Sequence, residues 1–97
     1  MFALIGRVKI KPGQEDLSRQ MITDKGIDMF RGMIGAQHAY WSRPVDAADE
    51  LIQHSFWLFE TEGNARAAEK TFNSLRNMPD APAVFVSCDV CEVIGEG

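Results

Sequence analysis

Residues 35–61 read GAQHAYWSRPVDAADELIQHSFWLFET and hold both histidines, both tryptophans and the only tyrosine of the 97-residue chain. Two runs inside this stretch, AQHAYWSR (36–43) and LIQHSFWLFE (51–60), have the aromatic content that strands favour. The intervening PVDAADE is polar and opens with proline, which predicts the loop of a hairpin. Two strands joined in this way pair antiparallel. What flanks them decides the fold.

On the N-terminal side, MFALIGRVKIKPG predicts a strand. Phe2, Leu4, Gly6, Val8 and Ile10 fall on one face, Ala3, Ile5, Arg7 and Lys9 on the other, and Pro12 and Gly13 stop it. QEDLSRQMITDKGIDMF (14–30) predicts a helix, with Glu15 and Asp16 at the positive end of its dipole. Leu17, Met21, Ile27 and Phe30 give an apolar stripe at roughly helical spacing. Gly26 is expected to weaken this helix and to be the place where it breaks. On the C-terminal side, EGNARAAEKTFNSLRN (62–77) predicts a second helix buried along Ala65, Ala68, Phe72 and Leu75. MPDAPA then breaks the chain, and VFVSCDVCEVIG (84–95) predicts the last strand. Val84, Val86, Cys88, Val90 and Glu92 share one of its faces, with Phe85, Ser87, Asp89, Cys91 and Val93 on the other.

The resulting order, β-α-β-β-α-β, is the ferredoxin-like arrangement of the α+β class: a four-stranded antiparallel sheet with two helices on one face. The second face must be polar or covered. Strands two to four are apolar or aromatic on both faces, so a second copy packed sheet against sheet is the expected cover. A homodimer through sheet faces would add buried surface to a small domain.

The length predicts one domain, residues 1–97. The formal net charge of −4, with ten scattered Lys and Arg, argues against nucleic acid or an anionic membrane as partner, since both require a concentrated basic surface. No apolar run approaches the ~20 residues that span a bilayer. The N-terminus is too short and too alternating for a signal peptide, so the expected location is the cytoplasm. Cys88 and Cys91 are too few for a disulfide framework.

VKIKPGQEDL, GAQHAYW and FWLFETEGNARAA together resemble the dimeric α/β-barrel superfamily, and within it the antibiotic-biosynthesis-monooxygenase-like domains. The resemblance covers nearly the whole chain, but its motifs belong to the fold more than to catalysis. It implies a cofactor-independent monooxygenase acting on a small aromatic metabolite in a pocket between helices and sheet, with no cofactor and no metal. Relatives of this kind also include isomerases, haem-degrading enzymes and small proteins without an assigned reaction. The haem-degrading branch uses an Asn directly before an Arg in strand one, and a His and a Trp in the second helix region. Here Gly6 stands in the place of the Asn, Arg7 matches the Arg, and residues 62–77 hold neither His nor Trp.

His38 and His54 lie on the two arms of the hairpin. An even pairing register puts them on one face, and an odd one separates them. As a pair they could shuttle a phenolic proton, but two ligands do not make a zinc site. The alternative is a partly buried imidazole bonded to backbone or water. Arg7 could hold a substrate oxygen, or it could pair with a carboxylate in the dimer. Tyr40, Trp41, Phe56, Trp57 and Phe59 could wall a cavity for a flat substrate. They could equally fill the core or a dimer interface. Arg43, beside Pro44, is expected at the surface. Cys88-x-x-Cys91 lies in a strand, where positions three apart face opposite sides, so both are read as small core residues. Two classes of function therefore stand side by side: an aromatic-metabolite enzyme, and a non-catalytic dimer that binds a small ligand or serves as an interaction module.

Overall fold

Alternation in FALIGRVKI produces β1 (Phe2–Ile10) in the computed structural model, which describes residues 1–46, 50–74 and 78–97. Proline gives no N–H to a ladder, and Gly13 follows it at φ +79°, a conformation that glycine adopts without strain, so β1 ends there. One helical run comes next. It consists of α1 (Glu15–Met21), a π-helical turn (Ile22–Gly26) and α2 (Ile27–Arg31). Gly26 does not break it, since its backbone stays helical at φ −61°, ψ −43°. A wider turn accommodates the sequence instead, and π turns of this kind concentrate at functional sites. The wide turn also resets the helical phase. Ser18, Ile22, Gly26 and Phe30 recur every four residues as the more buried side of the run, while Leu17 and Met21 of the expected stripe are exposed.

β2 (Ala36–Ser42) and β3 (Ile52–Phe59) form the expected hairpin arms. Residues 47–49 of its loop lie outside the described residues. Gly35 enters β2 at φ +77°, and a Cβ there would collide with the Asn64 side chain. The hairpin start and the next helix thus meet at a point where no side chain fits. α3 (Glu62–Ser74) is capped by Thr61, whose Oγ1 accepts the Asn64 N–H at 3.1 Å. Ala65 and Ala68 are buried as expected and Phe72 packs on the core, whereas Leu75 lies outside the described residues. β4 (Ala83–Glu92) closes the chain.

The strands lie in the order β2-β3-β1-β4, and every neighbouring pair is antiparallel. This is the ferredoxin-like α+β arrangement that the element order predicts. The core forms where helices meet sheet: Leu4, Phe30, Trp57, Phe59, Ala65 and Ala68 are its buried members. Trp57 is the hub, with edge-on ring contacts to Phe72 at 4.9 Å, Phe30 at 5.5 Å and Trp41 at 5.8 Å.

A bulge in the β1–β4 ladder alters one expectation. Arg7 pairs with Ser87, but Val8 pairs with Phe85, so Val86 is the extra residue. Cys88 and Val90 keep the helix-side phase that alternation gives them. Before the bulge the phase flips: Phe85 and Ala83 turn toward the helices, and Val84 and Val86 are exposed. Cys88 lies opposite Gly6 and Cys91 opposite Ala3, on alternate faces of the sheet.

Candidate functional site

The register sorts the sequence candidates onto two faces. Ser42 pairs with His54 and His38 with Leu58, so the histidines share a face but stand four positions apart along β3. At ~3.4 Å per residue that is roughly 13 Å, too far for one imidazole to meet the other. Arg7 pairs with His54 from the β1 side and joins the same face. Phe56, opposite Tyr40, lies there as well. On this face His38 meets the Tyr40 ring edge-on at 4.5 Å, and His54 stacks on Phe56 at 6.2 Å. Arg7 donates to Ser87 Oγ at 3.4 Å and lies 3.6 Å from Asp89 Oδ2, so its carboxylate partner comes from its own chain. Among the described residues no helix covers them. The opposite phase of β3 (Gln53, Ser55, Trp57, Phe59) is buried throughout.

Two cavities lie on the helix side. The inner one, about 400 Å³, is bounded by the α1–π–α2 run, by Val8 of β1, by Phe85 and Ala83 of β4, and by Phe72 of α3. Met21, Met29 and Met78 give it an adaptable apolar lining, and Ser18, Gln53 and Lys25 supply its polar groups. The outer one, about 600 Å³, opens at the β2 edge between Arg19, Ile22, Thr23 and Ile27 of the helical run and Ala39, Tyr40, Trp41 and Arg43. Ile22 and Gln53 belong to both linings, so the two compartments adjoin beneath the π turn. Both volumes fall within the range of small-molecule sites.

Of the five aromatic residues proposed as walls, Tyr40 and Trp41 line the outer cavity. Trp57 and Phe59 are core members, and Phe56 lies on the uncovered face. Neither cavity is lined by His38, His54 or Arg7. The reason is period-two alternation: in this register these three positions point away from the helices. Two polar residues are placed more tellingly: Gln53, which the sequence reading passed over, and Arg43, which it expected at the surface. Gln53 is buried on the helix side of β3 and its Oε1 accepts a bond from Arg43 Nε at 2.9 Å. Arg43 also donates through Nη2 to the Glu15 carbonyl at 2.9 Å. Arg43 is therefore half-buried and held from two sides, not the loose surface residue expected beside Pro44. The available signal was a glutamine on the buried phase of β3, in line with Trp57 and Phe59, a position long polar residues seldom occupy without a purpose.

The linings of these two cavities offer no His, Cys, Asp or Glu to a metal ion or a haem iron. Among the described residues no three His, Cys, Asp or Glu side chains cluster to hold an ion. The chain has two histidines, and neither lines either of these two cavities. Gly6 is overlain by Ser55 and Phe72, so a Cβ at this position would lie 2.7 Å from Ser55 Oγ and 3.3 Å from the Phe72 ring. No helix among the described residues is long and apolar enough to cross a membrane.

The sequence matches no protein-family model and no curated protein. Solved structures do match. A substituted form of MhuD with two manganese protoporphyrin IX molecules bound per active site superimposes with a TM-score of 0.68 at 13% identity, covering 100% of this chain and 98% of that one. A protein from Chloroflexus aurantiacus assigned as an antibiotic biosynthesis monooxygenase gives 0.59 at 16% identity, covering 99% and 96%. A monooxygenase from the gene ActVA-Orf6 of Streptomyces coelicolor, in complex with nanaomycin D, gives 0.59 at 15% identity, covering 98% and 88%. The chain therefore has, along essentially its whole length, the ferredoxin-like fold of the antibiotic-biosynthesis-monooxygenase-like domains.

Proposed function

We propose that this protein is a small cofactor-independent monooxygenase whose substrate, an aromatic metabolite, binds beneath the π turn. The observation that carries the reading is the pair of adjoining cavities between helices and sheet, one apolar and one lined by Trp41 and two arginines. The fold neighbours support it, since one is a monooxygenase in complex with nanaomycin D and another holds a porphyrin. Oxygenation without a cofactor requires an electron-rich substrate that reacts as its anion. Such a phenolate or carbanion reduces O2 with its own four electrons, placing one oxygen atom in the product and releasing the other as water. The protein's part is to exclude water, hold the planar body and favour the anion electrostatically. In this reading the base is not His38 or His54. The positive charge of Arg19 and Arg43 lowers the cost of forming the substrate anion, and its proton leaves to solvent through the open outer cavity.

The uncovered face, where Tyr40, Phe56, Val84 and Val86 are exposed, is in this proposal the seat of a homodimer packed sheet to sheet. His38, His54 and Arg7 would then serve the interface and not the reaction.

Oxygen uptake by the purified protein with hydroquinones and anthrone-type phenols, without added cofactor and with products weighed by mass spectrometry, tests the enzyme. The expected result is uptake above autoxidation with one oxygen gained. Saturable binding of the same compounds without uptake would favour the ligand-binding module instead.

A further inference from the structure

We infer that the outer cavity is an anion-selective subsite: the ligand is an aromatic acid whose carboxylate, or equivalent localised anionic oxygen, is read by Arg43 and Arg19. The inference deepens the proposed function and rests on its reading that a small molecule binds under the π turn.

Charge is the first ground. The chain is acidic, with a net charge of −4, yet among the described residues no carboxylate lines the outer cavity and two guanidinium groups do. Each of the four ion pairs found among the described residues engages Arg7, Lys9 or Arg66, and none engages Arg19 or Arg43. Two cations that form no ion pair among the described residues give one concave site a local positive potential, which an anion can meet.

Pre-organisation is the second. Arg43 is anchored by neutral acceptors alone, the Gln53 Oε1 and the Glu15 carbonyl, each at 2.9 Å. These bonds fix the guanidinium plane without cancelling its charge. They engage Nε and Nη2, and a guanidinium has five N–H donors. A fixed, charged fork of this kind suits bidentate capture of a carboxylate. Gln53, only 7% exposed, is the buried polar residue that makes the fixing possible, and it borders both cavities. The ring of Trp41 and the side chains of Ile22 and Ile27 complete the outer site. A planar body can rest there, or extend past Ile22 into the apolar inner cavity. The neutral apolar molecule that the inner cavity alone would suggest leaves Arg43 and Arg19 unanswered.

The test is calorimetric titration of the full chain with 2-naphthoate and with its neutral counterpart, 2-naphthalenemethanol. The acid should bind about tenfold more tightly or better, the scale of one charge-assisted contact, and its affinity should fall as salt is raised. Arg43→Gln should remove the preference while leaving the alcohol's affinity unchanged. Because Arg43 also ties β2 to α1, Arg19→Gln provides a second variant on a residue with no such tether, and it should reduce the preference in part. Gln53→Glu, which places a carboxylate against Arg43, should abolish it. Equal affinity for acid and alcohol in the unsubstituted protein would overturn the inference, as would a preference that survives both Arg43→Gln and Arg19→Gln. Failure here is separable from failure of the oxygenase reading. Oxygen uptake with no anion preference rejects the subsite alone, whereas anion-selective binding with no uptake rejects the oxygenation alone.

Discussion

Trp57 and Phe56 are adjacent in the chain and belong to different environments. Trp57 is 1% exposed and touches three other aromatic rings; Phe56 is 38% exposed on the uncovered face, stacked on His54. The whole sheet divides in this way. Its helix side carries the core, the π turn and both cavities. Its other side carries the histidines and Arg7, with exposed apolar side chains between them. The residues that look most reactive in the sequence thus lie apart from the two cavities beneath the helical run, which are furnished instead by Arg19, Arg43 and Gln53.

The contrast is most easily broken by truncation. Trp57→Ala should cost about 3–5 kcal/mol, since it empties the hub of the core. Phe56→Ala should cost less than about 1 kcal/mol when the chain is dilute enough to be monomeric. Urea denaturation of both variants compares them directly, and equal losses would mean that the two faces are not different in kind. If the uncovered face joins two copies, sedimentation of Phe56→Ala will show weakened association, and Trp57→Ala will not separate the two effects so cleanly.

A second pair sharpens the comparison. Gly6→Ala adds a methyl group between Ser55 and Phe72 on the helix side and should cost about 1–3 kcal/mol by overpacking. Arg7→Gln, one residue on and facing the other way, removes a 3.6 Å ion pair to Asp89 whose side chains are 39% and 63% exposed. Its cost should stay below about 1 kcal/mol and shrink in high salt. Thermal unfolding at two salt concentrations measures both. The smallest effect belongs to the histidines: His38→Ala and His54→Ala should leave the oxygen-uptake rate within about twofold of the parent, because neither lines the two cavities proposed to hold the substrate. A tenfold loss in either variant would return the chemistry to the uncovered face.

The sequence made the fold legible because element order and alternation are local properties. β1, the hairpin arms, α3 and β4 follow from them. The parts that were not legible depend on phase, which is set by partners. The π turn shifted the buried side of the first helical run from Leu17 and Met21 to Ser18 and Ile22, and nothing in the residues 22–26 announces a wider turn. The bulge at Val86 exchanged Phe85 for Val84 on the helix side, and a bulge is decided by two strands together. The hairpin register, even and offset by four, put His38 and His54 on one face but out of mutual reach. For the site, residue type misled. Histidine attracts attention for its proton chemistry, whereas Gln53 and Arg43 become informative only when the buried phase of β3 is known.

The central claim is that ligand binds on the helix side of the sheet and not among the histidines. A single NMR titration with 2-naphthoate tests it, because the chain carries one reporter set on each face. Trp41 lines the outer cavity, and its indole N–H signal should shift progressively and saturably while the ring signals of His38 and His54 stay in place. Saturable shifts in the histidine rings with the Trp41 signal unmoved would contradict the account and place the site on the uncovered face.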